Sequence, residues 1–167
     1  LTALGRIRLL CATNAGPGGT TALTRRIELA FRTRGHDLGS ESYRGRPLLL
    51  TRNDYAQGLF NGDVGVVWDS PQQDGSTVPR AFIAGRATDN QVLGYSVQQL
   101  PGAVTAWTMT VHKAQGSEFD AVVIVLPDID VRVLSKERWY TAGTRSKKRV
   151  ILGGCGQIIT TAIRGSA

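Results

Sequence analysis

The sequence predicts an α/β fold built on a parallel sheet and interrupted by a small all-β insertion, and three observations carry that reading. The chain opens with a strand, a loop and an amphipathic helix in immediate succession, the start of an α/β unit. From about Tyr43 to Pro101 it shows short β-like runs divided by turns and no helical periodicity. α/β patterning then resumes with residues 121–126 (AVVIVL), a continuous apolar run of the kind buried on both faces of a parallel sheet. The expected organisation is a first α/β part over 1–42, the insertion over 43–101, and a second α/β part over 102–167.

The elements follow in order. Residues 7–12 (IRLLCA) are short and apolar after Gly5 and read as a buried strand, and residues 14–19 (NAGPGG) as a loop with turn chemistry at almost every position. A helix is expected over 20–34, with Leu23, Ile27, Ala30 and Phe31 on one face and Gly35 as its stop. In the insertion the candidate strands are 47–51, 64–69, 80–84 and 92–97, with turns at Asn61-Gly62, Gly75 and Asp89-Asn90; so many short strands in so few residues suggest a small barrel. Trp68 is expected in the core. Beyond the insertion, 104–111 reads as a strand, 135–145 as a helix capped by Ser135, 150–152 as a further strand and 157–164 as a closing helix.

Composition narrows the function classes. A hydrophobic content of 41% over 167 residues is enough for a real core. Twenty Lys and Arg against thirteen Asp and Glu give a net charge of +7, which favours a polyanionic partner. Cys11 and Cys155 lie far apart among apolar residues, and only His36 and His112 join them as soft ligands, so the expectation is two reduced cysteines and no metal site. No apolar run approaches the ~20 residues of a membrane span. The start at Leu1, just before a strand-like run, suggests an excised piece.

Two polar clusters carry the chemistry. Residues 110–120 read TVHKAQGSEFD between two expected strands, where open α/β sheets bind ligands. Thr110, His112, Lys113, Gln115, Ser117 and Glu118 surround Gly116, which allows close approach or a positive φ; a solvated loop is the bland reading. Residues 139–149 read WYTAGTRSKKR, where Arg145 shares a helix face with Thr141 and its guanidinium suits a phosphoryl group. Lys147, Lys148 and Arg149 read as a solvated basic helix end or loose phosphate contacts. No G-x-x-x-x-G-K-[ST] occurs, so no loop is present to cradle β- and γ-phosphates, and a self-contained P-loop ATPase is excluded.

At TVHKAQGSEFD and YTAGTRSKKR the chain resembles the C-terminal part of RecD-type superfamily 1 DNA helicases, the family of the exodeoxyribonuclease V alpha chain. The likeness extends to LLCATNAGPGGTTALTRRIE and GRPLLLTRNDYAQGLFNGDVGVV. It implies a second RecA-like helicase domain (P-loop NTPase-type) interrupted by an SH3-like barrel, with helicase motif V at 110–120 and motif VI at 140–149. It further implies that Thr110, His112 and Lys113 face single-stranded DNA, that Gln115, Gly116 and Glu118 face the nucleotide with Glu118 near the ribose, and that Arg145 is the arginine finger. Gly143 and Ser146 depart from the family pattern, where larger residues or alanine are usual. ATP and Mg²⁺ are expected to be held mainly by a missing N-terminal domain, so that this segment alone is inactive. RecB- and RecC-like subunits, 5′–3′ translocation, a role in recombination and double-strand break repair, and a bacterial cytoplasmic setting follow from the same resemblance. The alternatives are a DNA- or subunit-docking module and a fragment of another superfamily 1 helicase, such as a relaxase-linked one.

Overall fold

In the computed structural model, residues 6–84, 92–126 and 143–154 are described. Two compact units emerge, one comprising Glu28–Ala106 and the other Thr2–Ile27 with Trp107–Ala167, so that the chain leaves the second unit and returns to it.

The second unit is an α/β structure on a four-stranded parallel sheet. β1 (Ile7–Cys11) lies between β7 (Thr108–Thr110) and β8 (Phe119–Val125), and β9 (Ser146–Gly153) pairs with β8. All three pairings are parallel. Leu10, Met109, Val122 and Ile124 form the core with Val111, Ala114, Phe119 and Leu126. The 14–19 loop leads into α1 (Thr20–Arg32), within which the chain passes from this unit to the other after Ile27, and whose entry is held by backbone bonds from Thr20 to Thr13 and from Thr21 to Asn14. Thr108 ties this end of α1 to β7: its hydroxyl donates to the Thr20 carbonyl at 3.1 Å and lies 3.0 Å from the Thr24 hydroxyl. α1 stops as expected at Gly35, with φ of 84°; His36 N–H bonds to Phe31 O and Gly35 N–H to Arg32 O, a Schellman motif. The Phe31 and His36 rings meet edge to face at 5.4 Å, which accounts for His36 as part of a helix cap. No α1 residue is fully buried, and Ala30, placed on the apolar face by its spacing, is exposed.

The first unit is built on a five-stranded antiparallel sheet. Its strands are β2 (Pro47–Leu49), β3 (Val64–Pro71), β4 (Thr77–Ala84), β5 (Val92–Ser96) and β6 (Val104–Thr105), in the order β5-β4-β3-β2-β6. Leu48, Leu50, Leu59, Val67, Ala81 and Ile83 fill its core with Leu100. The four expected strands are present with shifted ends. Residues 104–111, expected as one strand, are two: Val104 and Thr105 pair with Leu49 and Leu48, whereas Thr108–Thr110 pair with β1. Ala106 N–H bonds to Pro47 O and is the last residue of this unit. Asn61-Gly62 is a turn with φ of 93° at Gly62, but it closes a long connection between β2 and β3 rather than a two-residue hairpin.

That connection is braced at several points. Asp63, buried, accepts the Phe60 N–H at 2.8 Å; Asn53 accepts the Asn61 N–H at 2.8 Å; and Asp54 bridges antiparallel to Leu59 while accepting the Gln57 N–H at 3.1 Å. At its tip Tyr55 is 77% exposed, with its ring edge-on to Phe60 and its hydroxyl accepting from Asn53. Trp68 is not a core residue: it is 45% exposed on the sheet surface, with the Arg44 guanidinium 4.2 Å above its ring.

Candidate functional site

Residues 111–118 cross from the end of β7 to the start of β8, and strand register fixes where each polar side chain lies. Thr110 pairs with Cys11, and Cys11 with Val125, so Thr110 ends its strand at the C-terminal edge of the sheet. Phe119 pairs with Ser146 and Ala121 pairs close to the start of β9 and with Ile7, so Glu118 and Arg145 lie at the opposite edge. Phe119 lies six residues before Val125, so the two edges are about 20 Å apart along the strands. The residues expected together at one strand end are therefore divided between two edges. Because β7 and β8 both run parallel to β1, the connection must cross from the edge where one strand ends to the edge where the next begins.

At the C-terminal edge, Thr110 is buried and its hydroxyl accepts the Lys113 N–H at 3.3 Å, while its carbonyl accepts the Ala114 N–H at 3.1 Å. That turn holds His112 and Lys113 outward, and both are exposed. A hydroxyl, an imidazole and an ammonium in sequence suit a phosphodiester strand. Beneath them Cys11 is buried, and burial pushes its thiol up to about 11 against an opposing hydrogen bond from Thr108. Cys155, Ser135 and the 157–164 helix lie outside the described residues, as do Arg138 and Thr141.

The crossover is locally tied by Gln115 N–H to His112 O and Ser117 N–H to Ala114 O. Gln115 is exposed, and Gly116 has φ of 83°, the second of the two uses its sequence position allowed. At the lower edge Arg145 O accepts the Phe119 N–H at 2.8 Å, which fixes the two motifs side by side. Phe119 is buried, and Arg8, also buried, holds its guanidinium 5.2 Å from the Phe119 ring centroid; burial lowers the pKa of Arg8.

Arg145 does not end a helix. Gly143 is helical, Thr144 and Arg145 form a turn, and the next residues enter β9. Arg145 Nη2 donates to the Thr144 hydroxyl at 3.3 Å. The basic run is correspondingly not a helix end but the start of a strand. Lys147 Nζ lies 3.0 Å from Glu118 Oε2, and Lys148 Nζ lies 3.2 Å from Asp120 Oδ2. Sequence spacing gave no sign of these pairs, because the partners are contributed by a different strand. The edge thus offers a guanidinium suited to phosphoryl oxygens and a carboxylate suited to hydroxyl donors.

Residues 105–152 match the model of the UvrD-like helicase C-terminal domain. Over its whole length the chain is similar to the RecBCD enzyme subunit RecD of Mycolicibacterium smegmatis, at 39% identity, and it spans 28% of that protein. It is 28% identical over 90% of its length to the ATP-dependent RecD2 DNA helicase of Deinococcus radiodurans, of which it spans 20%. Among solved structures it is similar to the Pif1 helicase of Candida albicans (TM-score 0.53, 13% identity, 97% of this chain and 50% of that one). It is also similar to a Bacteroides Pif1 helicase in complex with ADP-AlF3 and ssDNA (TM-score 0.51, 17% identity, 90% of this chain and 41% of that one).

Proposed function

Because this chain is a RecD-type superfamily 1 helicase segment, homologous to RecD subunits along its whole length, we propose that it forms the second motor domain of an ATP-dependent 5′–3′ DNA helicase. The observation that carries the proposal is the division of the polar clusters between two edges, with Glu118 and Arg145 at one and Thr110, His112 and Lys113 at the other. Arg145 reaches the γ-phosphate as arginine finger and Glu118 takes a ribose hydroxyl, with Gln115 and Gly116 beside it. Thr110, His112 and Lys113 hold the DNA backbone. The P-loop and the Mg²⁺ ligands come from a domain outside this segment; Mg²⁺, where bound, neutralises phosphate charge. Closure and opening of the two domains alternate the grip on DNA.

The all-β unit is read as an SH3-like barrel inserted into a RecA-like domain, with 1–42 and 102–167 as the two parts of that domain. The five antiparallel strands and their small core support that reading. The RecD names support placing the whole protein with RecB- and RecC-like subunits, in recombination and break repair in the cytoplasm. Among the described residues no helix is long and apolar enough to cross a membrane.

Binding of a labelled oligo-dT to this chain tests the DNA face. Lys113→Ala is expected to weaken binding and to reduce the salt slope by about one ion, and His112→Ala to weaken it further. Unchanged affinity in both variants would remove the DNA assignment.

A second reading, a docking module working through the all-β unit, is favoured by the braced Tyr55 tip. A planar side chain held out of a rigid loop is suited to stacking on an unpaired base. In that case Tyr55→Ala costs about 1–3 kcal/mol of oligo-dT binding, while Lys113→Ala and His112→Ala leave it nearly unchanged.

A further inference from the structure

Between Phe119 and Ala121 the pairing of β8 with β9 slips: Phe119 is opposite Ser146, but Ala121 is opposite Arg149. β9 therefore carries one extra residue, a bulge of Ser146, Lys147, Lys148 and Arg149 against three residues of β8. Ser146 closes it. Its Oγ accepts the Arg149 N–H at 3.0 Å, and its hydroxyl is placed to donate to the Arg149 carbonyl at 2.7 Å or the Asp120 carbonyl at 3.2 Å.

The bulge changes what the following side chains can reach. In a regular strand, consecutive residues point to opposite faces. Here Lys147 and Lys148 both turn to acids of the same neighbouring chain segment, Glu118 and Asp120. The bulge also begins at the residue after Arg145, whose carbonyl is fixed to Phe119. The Phe119–Arg145 bond sets Arg145 beside Glu118, and the bulge that follows brings Lys147 within reach of Glu118.

We infer that this bulge is a positioning device for the nucleotide edge: Lys147 holds the Glu118 carboxylate in the orientation that receives a ribose hydroxyl, and Ser146 holds Lys147 in place. The inference rests on the assignment of Glu118 to the ribose proposed above. Ser146 then acts as a brace for the finger segment.

The magnitude restricts where the effect is seen. Both partners are more than half exposed, and exposed pairs contribute at most about 1 kcal/mol, or roughly fivefold in an equilibrium constant. The pair orients a group that binds ribose, remote from the phosphoryl group that reacts, so the change belongs in KM rather than kcat.

The test uses the full-length motor that carries this segment, assayed for DNA-stimulated hydrolysis of ATP and of its 2′- and 3′-deoxy forms. Lys147→Met is expected to raise KM for ATP about threefold with kcat unchanged, and to shrink the preference for ATP over the deoxy forms by the same factor. Lys147→Arg should restore both. Ser146→Ala should reproduce the Met variant, and Ser146→Thr should rescue it. Wild-type KM and wild-type ribose preference in Lys147→Met, with the fold intact by thermal melting, overturn the inference while leaving the Glu118 assignment standing. Glu118→Gln separates the two: loss of ribose preference there upholds the assignment, and an unchanged preference overturns both.

Discussion

Replacing Arg145 with Ala is expected to lower ATP turnover by the full-length motor about a thousandfold, the low end of what an arginine finger contributes, while nucleotide binding stays within a few-fold of wild type. The expectation combines chemistry with location. The side chain lies at an edge of the sheet, half-buried, whereas the backbone of Arg145 is already fixed through its carbonyl to Phe119. Truncation removes the guanidinium without loosening the strands behind it, so stability should move by no more than about 0.5 kcal/mol. Arg145→Lys should restore little, since a point charge does not reproduce a planar, bidentate donor. Single-turnover hydrolysis and the affinity of a fluorescent ADP analogue distinguish the outcomes. Wild-type turnover in the Ala variant would sink the finger assignment; lost affinity with normal turnover of bound nucleotide would make Arg145 a binding residue instead.

A large loss of stability is expected at Gly65. It lies in β3 opposite Ile83 and is buried. A Cβ there would fall 2.7 Å from the Phe82 carbonyl oxygen and closer still to the end of the Ile83 side chain. Ile83 can rotate, but the carbonyl belongs to the backbone of β4 and moves only if the strands separate. Gly65→Ala should therefore cost about 2–3 kcal/mol, at the upper end of the range for overpacking. For a unit of this size that corresponds to a fall in melting temperature of roughly 10 °C or more. Calorimetry should place the loss in the all-β unit. An Ala variant that melts with wild type would show that β3 and β4 have room to part.

Much of the α/β frame was legible because local chemistry determined it. β1 and β8 are short apolar runs, and α1 carries its own stop in Gly35. The division of 104–111 was not legible, since nothing in VTAWTMTV distinguishes a residue that pairs with Leu49 from one that pairs with Leu10. That choice is made by partners distant in sequence. Sequence alone starts β9 at Val150, because its first four residues, SKKR, have no apolar alternation; Lys147 and Lys148 pair there with Glu118 and Asp120 instead. Trp68 departs from the core expected of it for a related reason, since Arg44 covers a ring that the core does not. In the candidate site the residue types were readable, but their separation onto two edges required strand register.

The crossover of residues 111–118 is too short to contain slack. Ala114 at its middle is fully buried, and Thr110 and Phe119 at its ends are locked into neighbouring strands. A push on His112 therefore has few ways to dissipate before Glu118, and Gly116, with open space where a side chain would be, is the natural pivot. Under the function proposed above, the segment is expected to work as a rocker arm, in which a load at the His112 end tips the Glu118 end and the stiffness of the arm limits how faithfully DNA grip is coupled to the nucleotide.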